Sequence, residues 1–522
     1  MAFSRSFIYA ALVILLGILA RWSRSRKPPG GTKVPPCPKN GLPIVGHAFQ
    51  IPPFHSWLKF KTWTDELGPI VGFRIFGREN IVISNYLSCN LRPLLLEYND
   101  RWRRGRKLMH RLTMASAATS YQPMQLLEST RMLYDLLRDP SQYELWFHRY
   151  ASGLIFRIGY GKAIRTGKEE HAQRILEVVH TVEHIASPGS YLVDSLTFLK
   201  YLPEWMAPFK REGRRLHESE LNLFRTLVRD VQAEVEQEAR AGAMVPAPPC
   251  FARTWLESKD SFGLTEDEAA YVLGTLFEAG SGTTAAAMMS FILAMVLFPK
   301  WQQAMCEELD RTVGGSRMPD FKDIPNLPVC RAVIKEVLRW RPVTAGGVPH
   351  QLVVDDVYNG YFFPKGTTVH ANQWAIHRDP ELYPDPETFN PDRWLNPIYP
   401  TYREPLDKYP CLQNFSAFGF GRRICPGMNI AENSLHLLPA RVIWACKISK
   451  RTGPDGVEIT PSLYDYTSGF NTQPRPFEFD LVARSEEKRA AVEAAFGIAQ
   501  ASDPLASTVD YKLGHSLRPL AK

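Results

Sequence analysis

The chain has 522 residues, which exceeds a typical domain of about 100 to 200 residues, so it needs several domains or one unusually large core. Its hydrophobic content of 45% and charged content of 22% are those of globular proteins, and they exclude a disordered, collagen-like or coiled-coil chain. The formal net charge of +8 is a mild excess that suits an anionic membrane surface or an acidic partner better than nucleic acid.

The cysteines give a first indication of the compartment. Eight are scattered along the chain without a CxxC pair, which is too sparse for a disulfide scaffold or a Cys-rich zinc site. Reduced thiols are therefore expected, and they favour a cytosolic environment for most of the chain.

A membrane anchor is predicted at the N-terminus. Residues 7–20 are all apolar or small, and with their flanks they approach the roughly 20 residues needed to cross a bilayer. Four basic residues follow between positions 21 and 27, whereas only Arg5 precedes, so the positive-inside bias places the rest of the chain in the cytosol. A cleaved signal peptide would carry its basic charge before the apolar core. Residues 1–27 are therefore interpreted as a retained anchor with a basic stop-transfer segment.

Residues 28–47 follow as a proline-rich hinge. Proline lacks an amide donor and has a fixed φ, so this segment forms neither a helix nor a central strand. Such a stiff segment would hold a globular body at a fixed distance from the membrane, although a plain linker is the simpler alternative.

One large domain, mainly α-helical with a minor β-sheet, is predicted over residues 48–485. An early hairpin is expected from the β-branched and aromatic runs 73–75 and 81–84. Helical periodicity then dominates, and short strands return near the C-terminus. The predicted helices cover residues 101–112, 169–185, 210–241, 265–298, 300–313 and 328–340, and the predicted strands cover 352–354, 361–363, 368–371 and 477–481. No internal repeat divides this domain, and residues 486–522 are interpreted as a C-terminal tail.

The string FGFGRRICPG at residues 418–427 carries the strongest chemical signal. Cys425 is its one strong metal ligand, and its glycines let the backbone pass close to a flat, bulky group. Arg422 and Arg423 supply positive charge, and the helix expected after Pro426 would stabilise negative charge on the sulfur. Taken alone, a cysteine between glycines is more often structural than a metal ligand.

The whole string is far more specific than the cysteine alone. It resembles the haem-binding signature of the cytochrome P-450 superfamily, Phe-x-x-Gly-x-Arg-x-Cys-x-Gly, which is matched at Phe418, Gly421, Arg423, Cys425 and Gly427. The resemblance implies the fold of that family, here preceded by one N-terminal transmembrane helix, and a haem b group held through the Cys425 thiolate. The string WAIHRDPELYPDPETFNPDRW and the N-terminal anchor resemble membrane-bound fungal members of secondary metabolism.

A second motif concerns the propionate groups of the haem. Trp102 and Arg106 lie four apart on a predicted helix and resemble the family's Trp-x-x-x-Arg, in which both side chains bind a propionate. The resemblance implies that Arg423 joins them. Without it the helix is simply basic and amphipathic, and its remaining cations are expected to face an acidic redox partner or solvent: Arg103, Arg104 and Lys107.

A third motif is a charged pair in KEVLRWRP. Glu336 and Arg339 lie three apart on one helix face, which alone would be a commonplace surface pair. The pair resembles the family's Glu-x-x-Arg, which bonds an arginine in a later loop, and Arg393 in FNPDRW stands at the matching place. The implied role is structural support of the haem loop through bidentate bonds between guanidinium and carboxylate.

The long apolar helix predicted over residues 265–298 contains a fourth motif, AGSGTT at residues 279–284. It is a poor phosphate loop, because no Gly-Lys-Ser/Thr follows and no strand is expected before it. It resembles the family's oxygen-activation segment, Ala/Gly-Gly-x-Asp/Glu-Thr-Thr/Ser. The resemblance assigns Ala279, Thr283 and Thr284 to the catalytic side, where Thr283 would hold the hydrogen bond that steers protons.

Three features depart from the family pattern. Gly282 stands where the family has an acid, so proton delivery would depend on water or on Glu278 one turn earlier. Only seventeen residues separate Ser84 from Trp102, fewer than the family uses to roof the substrate pocket. Pro439 falls inside the helix expected after the haem signature, where it removes an amide donor and should kink the chain.

Three histidines and two short segments are weaker candidates, which only their positions in the sequence identify. His180 and His184 lie four apart on a helix, but no third ligand is evident, so a solvated face is favoured over a zinc site. His350 lies just beyond the Glu-x-x-Arg helix and is a candidate propionate contact. Residues 343–348 and 469–470 match segments that line the substrate pocket in the family, whereas in isolation they would be core or turn.

The resemblance implies a haem-thiolate monooxygenase that inserts one oxygen atom of O2 into a C–H bond of a small hydrophobic metabolite. Two electrons would come from NADPH through a membrane-bound reductase that contains FAD and FMN. The implied location is the endoplasmic reticulum membrane, crossed once, with the catalytic domain cytosolic and in contact with lipid but not with nucleic acid. Two alternatives remain open: a haem-thiolate isomerase or dehydratase, which the missing acid favours, and a catalytically impaired haem protein with a shortened pocket roof.

Overall fold

The computed structural model describes residues 28–42, 45–75, 91–186, 201–241 and 249–505, with positions 191, 193 and 199 between them. The predicted membrane anchor and the second half of the predicted early hairpin lie outside these residues. Of the short segment 85–101, the structure describes residues 91–101. The anchor and the domain boundaries at residues 27 and 47 therefore stay predictions.

The described chain is mainly helical with minor β-sheet, as predicted. Its helices are α1 (Ser56–Leu67), α2 (Asp100–Thr113), α3 (Ala115–Ser120), α4 (Gln122–Arg138), α5 (Tyr143–Tyr160), α6 (Glu170–Ala186), α7 (Pro208–Ala241), α8 (Phe251–Ser258), α9 (Glu266–Leu297), α10 (Pro299–Thr312), α11 (Pro328–Trp340), α12 (Gln373–Ile376), α13 (Met428–Ala445) and α14 (Glu486–Ser502). The helices predicted from periodicity form within two residues of their expected ends, whereas the sequence patterns did not predict α1, α3, α4, α5, α8, α12 or α14.

The strands are short and pair two by two. They are β1 (His350–Gln351), β2 (Asp356–Tyr358), β3 (Tyr361–Phe363), β4 (Thr368–Val369), β5 (Cys446–Ser449), β6 (Arg451–Thr452), β7 (Glu458–Ile459) and β8 (Asp480–Ala483). Antiparallel pairs join β1 to β4, β2 to β3, β5 to β8 and β6 to β7. The prediction of a strand at residues 352–354 was wrong. Leu352 instead forms backbone hydrogen bonds with Thr367 and Gly366, just before β4.

Helix α9 forms the centre of the core. A capping box fixes its start, since the Thr265 hydroxyl accepts from the Glu268 N–H and the Glu268 carboxylate accepts from the Thr265 N–H. A Cβ at Gly280 would lie 2.8 Å from Ile155, so this glycine lets α5 pack closely against α9. Among the described residues α9 is also the helix long and apolar enough to cross a bilayer, but 72% of its most apolar stretch is buried inside the protein.

The chain beyond residue 485 continues into the packed body. In α14, the Phe496 ring stacks on Tyr134 of α4 with centroids 4.0 Å apart. Asp503 accepts bonds of 2.8 and 3.0 Å from Arg157, which also bonds the buried Glu128 at 3.0 Å. Because these charges are buried, each depends on its partners, and the network ties the first part of the predicted tail to α4 and α5.

Candidate functional site

The loop before α13 presents Cys425. Two 3-10 turns, Ser416–Phe418 and Gly421–Arg423, fold the loop back, and the Cys425 N–H donates to the Phe418 carbonyl at 2.8 Å. Gly427 is the N-cap of α13, so the sulfur lies close to the amino end of that helix. This end of a helix carries partial positive charge, which suits an anionic sulfur.

Open space lies beside this loop. Among the described residues, no heavy atom would lie within 4 Å of a Cβ added at Gly419, Gly421 or Gly427. Gly419 and Gly421 also have positive φ values of 82° and 59°, which residues with a side chain adopt only with strain. The glycines therefore shape the loop and leave room for a flat group next to Cys425.

The half-buried Cys425 thiol experiences opposing electrostatic influences. Burial raises its pKa above the ordinary value, whereas the Gly427 backbone N–H and the Arg106 guanidinium act to lower it. A coordinated metal ion removes the proton of a thiol, and these two groups would then stabilise the anion. Within the part of the chain that the structure describes, no group of three or more His, Cys, Asp or Glu side chains is arranged to hold a metal ion.

Cationic side chains converge next to Cys425. Arg106 of α2 donates from Nη2 to the Ile424 carbonyl at 2.5 Å, and the Arg423 guanidinium lies 4.8 Å from the ring of the buried Trp102. Burial lowers the pKa of Arg423, and repulsion from Arg106 lowers it further. Neither arginine has a carboxylate partner among the described residues.

His350 in β1 lies near Arg423, and its environment favours the neutral ring. Partial burial lowers its pKa, and the nearby Arg423 guanidinium lowers it further. Crowded cations without counter-charges are unfavourable when they are withdrawn from water, and two carboxylates would relieve them. The sulfur, the open space beside the glycines and these cations together fit a haem, whose iron needs a ligand and whose two propionates need positive partners.

The predicted support cluster is buried. Arg339 donates to Glu336 through Nε and Nη2 at 2.8 and 2.7 Å, and Arg393 Nε lies 3.4 Å from Glu336 Oε1. Trp394 Nε1 and the Asn390 backbone N–H also donate to Glu336, at 3.2 and 2.9 Å. The three charged side chains are at most 1% exposed, so each charge depends on the others.

His377 connects this cluster to the cysteine loop. Its carbonyl accepts from Arg339 Nη1 at 2.9 Å, and its Nε2 is hydrogen-bonded to Ser416 Oγ at 2.7 Å. Its ring stacks on Phe415 with centroids 5.0 Å apart and planes 6° apart. Burial lowers its pKa to about 3, and Arg339 and Arg378 contribute. None of the four family motifs includes this residue, and the only sequence feature that could have indicated it is its position in the string WAIHRDP.

A second boundary of the candidate site is helix α9, which packs against α2 and α13. Within this mostly buried helix, Ala279 is exposed, and Gly282, Thr283 and Thr284 are partly exposed. Thr283 Oγ1 donates to the Ala279 carbonyl at 3.0 Å, so its lone pairs can accept from another donor. A Cβ at Gly282 would meet no heavy atom of the described chain within 4 Å, so the position that lacks the family's acid faces open space there.

Glu278, the expected substitute for the missing acid, already has a partner. Its carboxylate forms an ion pair with Arg92, which also pairs with Glu220 of α7. Arg92 is only 1% exposed, and no sequence motif identifies it or Glu220. Glu278 therefore serves as a counter-charge for a buried cation.

The remaining candidates are placed as follows. The Thr472 N–H donates to the Val343 carbonyl at 2.7 Å, which joins segment 343–348 to the chain just after residues 469–470. His180 lies on α6, and the side chain of His184 is outside what the structure describes. Pro439 lies inside α13, which continues to Ala445.

Comparison with known proteins agrees with this geometry. The family model described as cytochrome P-450 matches residues 87–479. Monooxygenase fogE of Aspergillus ruber, a cytochrome P-450, is 33% identical over 516 residues, covering 94% of this chain and 94% of the relative. Monooxygenase virE of Hypocrea virens, of the same family, is 33% identical over 516 residues, covering 93% of this chain and 91% of the relative.

A solved structure shares the fold. A zebra fish cytochrome P-450, determined with abiraterone, matches with a TM-score of 0.62 and 22% identity, covering 83% of this chain and 100% of that chain. At this identity the likeness concerns the fold alone, whereas the family match and the fungal relatives concern the sequence. This chain therefore belongs to the cytochrome P-450 family, as the haem-binding signature predicted.

Proposed function

We propose that the protein is a haem-thiolate monooxygenase that uses NADPH and a flavoprotein reductase to insert one oxygen atom of O2 into a C–H bond of a small hydrophobic metabolite. The observation that carries this proposal is the convergence of Cys425 with Arg106 and Arg423, which have no carboxylate partner among the described residues. When bound, haem supplies the activation of O2, and a thiolate ligand favours cleavage of the O–O bond.

The residues around Cys425 would hold the cofactor. The sulfur would be the metal ligand, supported by the Gly427 N–H. Arg106 and Arg423 would neutralise the propionates, and the indole N–H of Trp102 would donate to one of them. The buried Glu336 cluster would keep the loop in place from behind.

The open face of α9 would manage protons. Thr283 Oγ1 keeps its own proton on the Ala279 carbonyl, so it can accept a hydrogen bond from water in the space beside Gly282. Thr284, also partly exposed, would be a second hydroxyl for the same water. Because no described residue has an atom within 4 Å of a Cβ at Gly282, proton transfer along this face would depend on ordered water.

The reductase would dock on the exposed face of α2. Trp102 is buried, whereas Arg103, Arg104 and Lys107 on the same helix are exposed. A basic surface close to the cysteine loop suits an acidic protein partner and would speed encounter with it. This arrangement supports a separate flavoprotein that contains FAD and FMN as the electron donor.

We propose the endoplasmic reticulum membrane as the location, with residues 1–27 as a single-pass anchor. Exposed aromatic side chains support contact with lipid, because Tyr201, Trp205 and Phe49 are 80%, 75% and 79% exposed. Aromatic side chains of this kind are favoured at membrane–water interfaces. A membrane-associated enzyme would meet hydrophobic metabolites there, and the fungal relatives support a role in fungal secondary metabolism.

Labelled dioxygen tests this proposal. Membranes that contain the protein and its reductase would be supplied with NADPH and isotopically labelled O2, and metabolites from cells with and without the protein would be compared by mass spectrometry. We expect a product that carries one labelled oxygen atom and that depends on the reductase. Product formation without NADPH, or without label, would contradict monooxygenation.

The same experiment distinguishes monooxygenation from the two alternative functions. The missing acid at Gly282 favours a haem-thiolate isomerase or dehydratase, which needs neither O2 nor reductase. Such an enzyme would convert substrate under nitrogen without consuming NADPH. Failure to convert any metabolite, despite bound haem, would instead favour an impaired haem protein.

A further inference from the structure

We propose that Arg92, Glu220 and Glu278 form a buried latch that fixes residues 91–99, called here the strap, against helices α7 and α9 and thereby positions the substrate-side wall of the site. Arg92 and Glu278 are thus assigned as positioning residues for substrate binding. The proposal rests on the proposed function in one respect, since it takes the open space beside α9 to be the substrate side.

The latch is a single cation held by two carboxylates. Arg92 donates from Nη1 to Glu278 Oε2 on α9 and from Nη2 to Glu220 Oε1 on α7. The exposed fractions of the three side chains are 0% for Arg92, 4% for Glu220 and 11% for Glu278. A planar guanidinium can serve two carboxylates at once because its donors point in fixed, separate directions.

Burial strengthens the ion pairs of the latch and also makes the charge of Arg92 depend on its two carboxylate partners. Burial opposes the charge on Arg92, yet Glu220 and Glu278 together raise its pKa above the ordinary value. Removal of one partner from such a cluster is costly when it leaves an uncompensated charge. Removal of one of the two carboxylates leaves a balanced pair, so each glutamate can be tested separately without stranding the arginine.

The other end of the strap is held by the cysteine loop. The Leu96 carbonyl accepts from Arg423 Nη2 at 2.6 Å, and the Arg422 guanidinium lies 4.2 Å from the ring of Tyr98. Tyr98 in turn contacts Trp102, with ring centroids 5.2 Å apart. The strap therefore spans from helix α9 to the residues that surround Cys425.

The position of the latch on α9 gives it a functional consequence. Glu278 directly precedes Ala279, which is exposed in the middle of this mostly buried helix. The strap thus joins α9 at the edge of the open space, where a substrate would lie. Only seventeen residues separate Ser84 from Trp102, fewer than the family uses to cover the substrate pocket. The ion pairs of Arg92 to α9 and α7 would hold this short segment in place.

The test compares Glu278→Met with Glu220→Met in the full-length, haem-containing protein. Both changes are similar in volume, remove one carboxylate and leave Arg92 with one partner, but only Glu278→Met releases the strap from α9. Hydrogen–deuterium exchange at residues 91–96 should become about tenfold faster in Glu278→Met, because a buried charge-assisted hydrogen bond is lost, and should change less in Glu220→Met. Glu278→Gln, which keeps an acceptor oxygen, should restore part of the protection.

Binding of two probes tests the consequence for the pocket. 1-Phenylimidazole and imidazole can both be followed by the absorption change of the haem, but only the first has an apolar group that reaches the pocket wall. We expect Glu278→Met to bind 1-phenylimidazole about fivefold more weakly, a modest loss of contact energy, and to bind imidazole as the unsubstituted protein does.

Each outcome decides the proposal. Unchanged exchange in Glu278→Met would overturn the latch, and faster exchange with unchanged binding of both probes would overturn the positioning role. Equal loss of both probes would indicate damage to the haem site and would also count against it. If the unsubstituted protein gave no spectral response to either probe, the proposed function would fail, and the exchange measurement would still decide whether the latch exists.

Discussion

The cysteine side of the site and the α9 side are built in different ways. On the cysteine side, every position of the family signature is matched, and the buried Glu336 satisfies two arginines behind the loop. On the α9 side, the family's acid is replaced by Gly282, and Glu278 is committed to Arg92. The cysteine loop is thus fixed from behind by satisfied buried charges, whereas the face of α9 beside Gly282 is left open.

The two sides have different requirements. A loop that must hold a metal ligand needs a fixed backbone, which explains its positive-φ glycines and its buried support. A surface that receives substrate needs only the right shape and a few polar groups. Substitutions of Cys425, then of the buried support behind its loop, and finally of the open side should therefore have successively smaller effects.

The largest effect is expected from Cys425→Ser. A serine hydroxyl stays protonated where a thiol would be deprotonated on metal binding, so the sulfur ligand and its electronic effect would be lost. We expect product formation to fall to background in the reductase assay. Cys411→Ser is the control, because its backbone carbonyl and not its thiol accepts from Lys335, and it should stay active. Comparable product from Cys425→Ser would refute the assignment.

A large loss of stability is expected from Glu336→Gln. The change leaves Arg339 and Arg393 buried without their carboxylate, which should cost about 3 to 5 kcal/mol of unfolding free energy. Urea unfolding would measure it, and haem content would fall in parallel. Glu236→Gln is the control, since Glu236 pairs with Arg240 at 3.3 Å and the two side chains are 51% and 80% exposed. That change should cost less than about 1 kcal/mol. Equal losses in the two variants would contradict the support role.

A smaller, pH-dependent effect is expected at His377. Its pKa is about 3 in the folded protein, below the value of about 6.5 expected when unfolded, so the unfolded state binds more protons between these values. Its contribution to stability is therefore complete above about pH 6.5 and is lost as the pH falls toward 3. His377→Gln, which can still bond Ser416, should reduce the slope of stability against pH by up to about 1.4 kcal/mol per pH unit. An unchanged slope between pH 6 and 4 would show that His377 is not the group responsible.

The smallest effect is expected from Gly282→Asp. The side chain has room, because a Cβ there meets no heavy atom within 4 Å, and it would supply the acid that the family pattern contains. We expect about a twofold rise in product formed per NADPH and less peroxide, because a positioned acid would speed proton delivery on this face of α9. Gly282→Ala, which fills the space without an acid, is the control. A similar change in both variants would attribute the effect to packing.

The cysteine side could largely be predicted from the sequence, because its groups lie in short motifs. Trp102 and Arg106 share one helix face, and Glu336 and Arg339 share another. The contacts of Arg92 could not be predicted, since its partners lie 128 and 186 residues away. The same holds for the bond between His377 and Ser416, which joins two loops.

Two helices, α5 and α14, also could not be predicted from local sequence patterns. Helix α5 is buried on nearly all sides, so it lacks the alternation of apolar and polar residues that reveals a surface helix. Helix α14 follows the residues matched by the family model, and its packing depends on the distant pair of Arg157 and Asp503. Local patterns predicted the helices with one exposed face and the long apolar helix α9, whereas the buried helix α5 and the distant ion pairs need the three-dimensional structure.

The central claim is that the Cys425 thiolate is the metal ligand of a haem. The most direct measurement is the absorption spectrum of the haem-containing protein, reduced and exposed to carbon monoxide. We predict the strongly red-shifted Soret band of a thiolate-ligated haem, and its loss in Cys425→Ser. A band typical of an imidazole-ligated haem in the unsubstituted protein, or an unchanged band in Cys425→Ser, would contradict the account.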